Sequence, residues 1–279
     1  MYTLQCDNFN LDYTLDCGQV FRWDKADNVW TGVVQGDVVR AWQDVKTGLV
    51  YIDSRLSPAF FRSYFRFDDN LDCILTTVNK DKYMNEAIRS YRGMRLIRQE
   101  PWECLISYLL ATAWSIPNIK KGILKLSRLF GKKIDEEHYS FPQPAALAMA
   151  CESDLCDCKL GFRTNRIRKA AIQIIDGDID LNELFELDYE AAKKKLMTMD
   201  GIGEKVADCI LLFAFGKTEA FPVDTHVEKV IKNYYGDHEF FKEGMTKNKI
   251  GKWGRLYFGK YCGYAQQYLF YQKRLEGLR

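Results

Sequence analysis

The chain has 279 residues, 47% hydrophobic and 28% charged, with a formal net charge of +2. That is ordinary globular composition, which excludes wholesale disorder and a strongly basic nucleic-acid tail. The opening MYTLQCDNFN has no basic start followed by an apolar run, and Ile210 to Phe215 is far too short to span a bilayer. Neither a secretory signal nor a membrane span is expected.

The first fifty residues predict strands at 20–23, 29–34, 38–43 and 49–52. Each is β-branched and aromatic, with D-K-A-D-N, Q-G-D and D-V-K-T-G between them. That spacing with turn residues suggests an antiparallel meander. After Ser54 helix periods take over. Predicted helices run over 101–113, opened by Pro101, over 116–131, ending on Gly131, and over 163–175, basic at its start. Further helices are predicted at 189–199, from Glu204 to Phe215, and from near Tyr261 to Glu276. The expected fold is α+β: an N-terminal antiparallel β-sheet domain over 1–90, then an all-helical body over 91–279.

Nine cysteines without an export signal read as reduced thiols inside a cell. Cys151, Cys156 and Cys158 form C-x4-C-x-C, which matches no familiar zinc or iron–sulfur spacing. Only Cys209 and Cys262 follow residue 203, so a four-cysteine cluster cannot lie there. No metal and no cofactor is expected.

Residues 196–208, L-M-T-M-D-G-I-G-E-K-V-A-D, form a helix, Gly-x-Gly, helix pattern. Gly201 and Gly203 permit positive φ and close backbone approach. The unpaired N–H groups at the start of the next helix, Val206 among them, make a phosphate site. A plain helix cap is the blander alternative. Lys205 stands where the helix dipole disfavours its charge. A free lysine with its ordinary pKa is neutral in roughly one molecule in 2,500 at pH 7. The dipole contributes at most about 1 kcal/mol, less than one pKa unit. Desolvation in a pocket would have to do the rest if Lys205 is a nucleophile. Downstream, F-P-V-D-T-H-V-E places Asp224 before a helix pattern. Asp224 is a favoured N-cap, and a carboxylate held by a cap can also face a developing cation.

These two segments resemble the helix–hairpin–helix, Gly/Pro-rich loop and Asp motif of a DNA glycosylase superfamily, and within it the 8-oxoguanine DNA glycosylase/lyases. L-D-Y-T-L-D-C-G-Q-V-F-R-W (11–23), R-Q-E-P-W-E-C-L (98–105) and G-Y-A-Q-Q-Y-L-F (263–270) extend the resemblance over nearly the whole chain. It implies that Lys205 attacks C1′ of a flipped nucleotide in double-stranded DNA containing 8-oxoguanine. A Schiff base and strand cleavage by β-elimination follow. Asp224 would stabilise the oxocarbenium-like transition state, and His226 would contact phosphate. The Gly18 carbonyl would accept the N7–H that 8-oxoguanine has and guanine lacks. Gln266 would read the Watson–Crick edge, with Phe270 and Cys209 on the two faces of the base. The family's eukaryotic members embrace the opposite cytosine with asparagines and an arginine. Here Trp114, Ser115 and Asn118 occupy that region, and Phe162 replaces a tyrosine, so weak discrimination of the opposite base is expected. DNA binding is expected to involve Arg163, Arg166 and Lys169. A glycosylase for another lesion and a non-catalytic DNA-binding module stay open as alternatives. The implied protein is a DNA-associated, intracellular monomer.

Overall fold

The computed structural model describes residues 1–277, and among them there is one five-stranded antiparallel sheet in the order β1-β5-β4-β3-β2. The strands are β1 (Tyr2–Leu4), β2 (Trp23–Ala26), β3 (Val29–Val34), β4 (Asp37–Gln43) and β5 (Val50–Asp53). Two-residue turns set the register. Ala26 pairs with Val29 across Asp27 and Asn28, and Val34 pairs with Asp37 across Gln35 and Gly36. All four turn residues have positive φ, the geometry whose twist matches that of paired strands.

Two sequence expectations change here. Residues 20–22 are not strand, and Trp23 opens β2 instead. β1 was not anticipated; its three residues pair with β5.

Between β1 and β2 lies α1 (Leu11–Asp16), capped by the Asn10 side chain. After the sheet come α2 (Pro58–Tyr64), α3 (Leu71–Val78) and α4 (Lys82–Tyr91). The body continues with α5 (Pro101–Leu110), α6 (Ile116–Phe130), α7 (Pro144–Ala148), α8 (Glu152–Asp157) and α9 (Arg163–Ile175). It closes with α10 (Glu183–Glu186), α11 (Tyr189–Leu196), α12 (Glu204–Phe213), α13 (Thr225–Tyr235), α14 (Lys247–Phe258) and α15 (Cys262–Glu276). Pro101 and Pro117 sit in first turns, where a missing N–H costs nothing.

Two apolar cores form. One joins the inner face of the sheet to Phe61, Tyr64 and Phe65 at the end of α2. The other fills the helical body and includes Leu71 to Val78 of α3 and Met84 to Ile88 of α4. The division drawn at residue 90 from sequence therefore runs through the second core. Among the described residues no helix is long and apolar enough to cross a membrane.

The G-Q-V-F-R-W segment fastens the two parts. Gln19 is fully buried. Its Nε2 donates to the carbonyls of Thr14 (2.9 Å) and Arg95 (2.8 Å), and its Oε1 accepts from Ile97 N–H at 2.8 Å. Phe21 meets the Tyr108 ring edge-on at 5.6 Å. Arg22 pairs with Glu103 at 3.2 Å and donates to the Tyr139 carbonyl. Trp23 Nε1 donates to the Tyr64 hydroxyl at 2.9 Å. The β-branched and aromatic run that reads as a strand is a connector, with Gln19, Phe21, Arg22 and Trp23 each committed to different partners.

Candidate active site

The hairpin is built as its sequence suggests. α11 ends near Leu196, Gly201 takes φ +88, and Gly203 caps α12. A Cβ on Gly201 would collide with the Arg166 side chain. Gly203 is exposed, and a Cβ there would meet nothing within 4 Å. No protein contact demands glycine at 203, so the space before the first amides of α12 is open. Val206 turns its side chain into the core and leaves its amide at the helix start.

Behind the hairpin lies a buried charge network. Lys193 of α11 is 4% exposed. Its Nζ contacts Glu204, the Asp208 carboxylate at 3.0 Å and the Tyr189 hydroxyl at 3.0 Å. The Tyr189 hydroxyl donates to Asp208 at 2.7 Å and accepts from Arg255 at 3.1 Å. Burial pushes the Asp208 carboxyl above the usual carboxylate range, even with Lys193 opposing. Glu204 directly precedes Lys205, so this network anchors the turn that carries the candidate nucleophile.

Lys205 is half-buried in the first turn of α12, with Nζ 5.3 Å from the centroid of the Tyr108 ring. Tyr108 is itself fixed. Its hydroxyl donates to the Gln19 carbonyl at 3.1 Å, and its ring stacks on Phe213 at 5.6 Å. Sequence reasoning missed Tyr108, which forms an aromatic floor under the amine. Cys209 lies one turn on from Lys205. Burial pushes its thiol up to about 12, and the Lys205 charge beside it opposes that rise while Asp224 adds to it. Cys209 is therefore a neutral, apolar-lined thiol. Lys205 and Asp224 are therefore both close enough for their charges to act on this thiol.

Asp224 is the N-cap of α13, as its sequence position suggests. Its Oδ1 accepts from the amides of His226 (2.9 Å) and Val227 (2.8 Å). Among the described residues no donor is bound to Oδ2. His226 is exposed, and its ring meets Phe270 of α15 edge-on at 6.1 Å. Gly18 has φ +85, and a Cβ on it would stand 3.5 Å from Phe270. The loop after α1 and the terminal helix thus close on each other. Gln266 is one turn before Phe270, on the same helix side. It is 5% exposed, and among the described residues its buried Oε1 has no hydrogen-bond partner. An unpaired buried carbonyl oxygen costs roughly 1–3 kcal/mol.

Trp114 and Phe162 come together around Arg163 in a second cluster. Asn118 is exposed near the start of α6. Phe162 is 56% exposed. The Arg163 guanidinium lies 4.1 Å from the Trp114 ring centroid and 4.4 Å from that of Phe162. Arg163 also donates to the Thr112 carbonyl and is 4% exposed. The expected surface role of Arg163 is corrected by this: it is a buried brace for the aromatic pair. Arg166 stacks on Phe162 at 4.9 Å and, with Lys169, pairs with Asp200 in the hairpin turn. That contact ties the aromatic cluster to the hairpin.

Residues 106–255 match the model of the HhH-GPD superfamily of base excision DNA repair proteins. The chain belongs to that superfamily. Residues 1–105 of this HhH-GPD protein match the 8-oxoguanine DNA glycosylase N-terminal domain. A probable N-glycosylase/DNA lyase from Methanothermobacter thermautotrophicus is 30% identical over 225 residues, 72% of this chain and 70% of that relative. An N-glycosylase/DNA lyase from Arabidopsis thaliana is 28% identical over 278 residues, covering 93% and 76%. The solved Clostridium acetobutylicum 8-oxoguanine glycosylase/lyase, bound to double-stranded DNA with cytosine opposite 8-oxoguanine, superposes with a TM-score of 0.89. It is 30% identical, with 99% of each chain covered.

Proposed function

We propose that this HhH-GPD protein excises 8-oxoguanine from double-stranded DNA and then cleaves the strand at the resulting site. The base leaves the stack and enters the space between Gly18, Gln266, Phe270 and Cys209. The Gly18 carbonyl accepts N7–H of the lesion, and the unpaired Oε1 of Gln266 gains its missing partner at the Watson–Crick edge. Phe270 and Cys209 bound the two faces of the ring.

The unprotonated Lys205 amine attacks C1′. The C1′–N9 bond breaks, and its electron pair leaves with the base, which takes up a proton. The new C1′ ammonium gives up a proton, its freed lone pair expels the ring oxygen, which takes up a proton, and a C1′=N Schiff base forms. Loss of a C2′ proton expels the 3′ phosphate. Asp224 supplies a fixed anion for the positive charge that develops on the sugar. The open N-terminus of α12, at Gly201, Gly203 and Val206, takes a backbone phosphate, and His226 takes another. Trp114, Asn118 and Phe162 face the opposite strand and discriminate the opposite base weakly.

The observation that carries this reading is the placement of Lys205: half-buried over Tyr108 and beside Cys209, whose thiol also feels the charge of the capped Asp224. Borohydride trapping on an 8-oxoguanine:C duplex tests it. A covalent protein–DNA adduct that disappears in Lys205→Ala is expected. Release of free base without an adduct would remove the covalent role of Lys205. Binding without release or adduct would leave a DNA-binding module.

A further inference from the structure

Four successive carbonyls, from Asp16 to Gln19, lead out of the end of α1, and three are already occupied by side chains. Arg274 Nη1 donates to the Asp16 carbonyl. Gln267 Nε2 donates to the Cys17 carbonyl at 2.9 Å. The Gln19 carbonyl accepts from Gln99 Nε2 at 2.7 Å and from the Tyr108 hydroxyl at 3.1 Å. Among the described residues, no donor is bound to the Gly18 carbonyl.

The Asp16 carboxylate is held as well. Arg274 Nη2 contacts Oδ1 at 3.1 Å, and the Tyr271 hydroxyl donates to Oδ2 at 3.0 Å. Residues 267, 271 and 274 lie at i, i+4 and i+7 on α15, one stripe of the helix. Gln266 and Phe270 form the neighbouring stripe. A single helix therefore grips the loop with one stripe and lines the base space with the next.

Geometry explains why the grip matters. Gly18 has φ +85 and, as glycine, the widest rotational freedom of any residue. Its carbonyl belongs to the peptide plane joining residues 18 and 19. The plane before it is held by Gln267, and the plane after it by Gln99 and Tyr108. Hydrogen-bond strength falls steeply with misalignment, so an acceptor free to swing would read N7–H poorly.

On the base-excision reading above, we propose that Gln267, Tyr271 and Arg274 are positioning residues that lock the Gly18 carbonyl as the one free acceptor of this loop. They thereby set the discrimination of 8-oxoguanine from guanine without touching the base.

The test compares Gln267→Met and Arg274→Met in two backgrounds. In Lys205→Gln protein, equilibrium binding is measured to 8-oxoguanine:C and guanine:C duplexes. In protein with Lys205 intact, excision of 8-oxoguanine is compared with cleavage of a preformed abasic duplex, which has no base to read. The binding preference for 8-oxoguanine is expected to fall roughly tenfold, the loss from one misoriented hydrogen bond. Guanine:C binding and abasic cleavage are retained. Arg274→Lys, which keeps a donor for the Asp16 carbonyl, recovers most of the preference. An unchanged preference, or abasic cleavage falling in step with excision, would overturn the positioning role. If Lys205→Gln protein shows no preference at all before further substitution, the base-reading assignment fails and the clamp with it.

Discussion

Replacing Lys193 with methionine tests whether the buried charges behind the hairpin act as a unit. Methionine keeps the chain length and removes the ammonium. Glu204, 43% exposed, can turn to water, but the Asp208 side chain is 4% exposed and cannot. Removing one partner of a buried pair costs about 3–5 kcal/mol. Protonation of Asp208 caps that cost, since each pKa unit between the group and the buffer is worth about 1.36 kcal/mol. The sign follows from the direction of its shift. Asp208 titrates above its unfolded value in the folded protein. Its contribution is fully present below the unfolded value and is lost as pH rises through the folded one. Without Lys193 the folded value rises further, so the penalty extends toward neutral pH. Urea unfolding of Lys193→Met, followed by tryptophan fluorescence, should show a larger loss at pH 8 than at pH 5. Lys193→Met/Asp208→Asn should recover much of it. A loss under about 1 kcal/mol at pH 8, the level of an exposed pair, would refute the reasoning. So would equal losses at both pH values, or strict additivity in the double variant.

Gln19→Leu keeps the volume but strands the buried Arg95 carbonyl and Ile97 amide, at roughly 1–3 kcal/mol each; its thermal midpoint should drop by many degrees, and an unchanged midpoint would contradict the connector role. Gly201→Ala forces a left-handed φ on a side chain, at about 1–2 kcal/mol, and displaces Arg166. Weaker duplex binding by fluorescence anisotropy is expected. For Asp37, burial raises the carboxyl, but donors from Ser54 and Arg55 outweigh it and hold it below the usual value. Its stabilisation is present above the unfolded value of 3.8 and is lost as pH falls through the folded one. Asp37→Asn should therefore lose less stability than the parent between neutral pH and pH 3. Finally, single-turnover excision opposite C and opposite A should run at similar rates; a large preference for C would mean that the Trp114–Arg163–Phe162 cluster reads cytosine.

Local chemistry was readable in the sequence, and long-range partnership was not. The β2–β3 and β3–β4 turns announce themselves through Asp27-Asn28 and Gln35-Gly36. The start of α5 is marked by Pro101, and α13 by Asp224. β1 carries no such mark, because its pairing partner lies beyond residue 49 and three residues show no period. Val20 to Arg22 looks like a strand because it is β-branched and aromatic, yet Phe21 and Arg22 answer to α5 and the 139 carbonyl. The Gly-x-Gly turn with Lys205 was legible from its pattern. Tyr108 was not, since only the packing of α5 against α12 brings it under the amine. Arg163 reads as surface from its basic neighbourhood, and only the flanking rings of Trp114 and Phe162 take it inside.

The seam between the two matched families has a consequence for how this molecule could ever be divided. One match stops at residue 105 and the next starts at 106, in the middle of α5. A chain cut there would lose half a helix on each side. The fragment from 106 onward would carry Tyr108 and Phe213 without Phe21 or the Gln19 carbonyl, and so without two of the three groups that hold the floor beneath Lys205. The connector that leads into the sheet therefore supports the ring beneath Lys205. Co-expressed halves should regain activity only by reassembling that helix across the break.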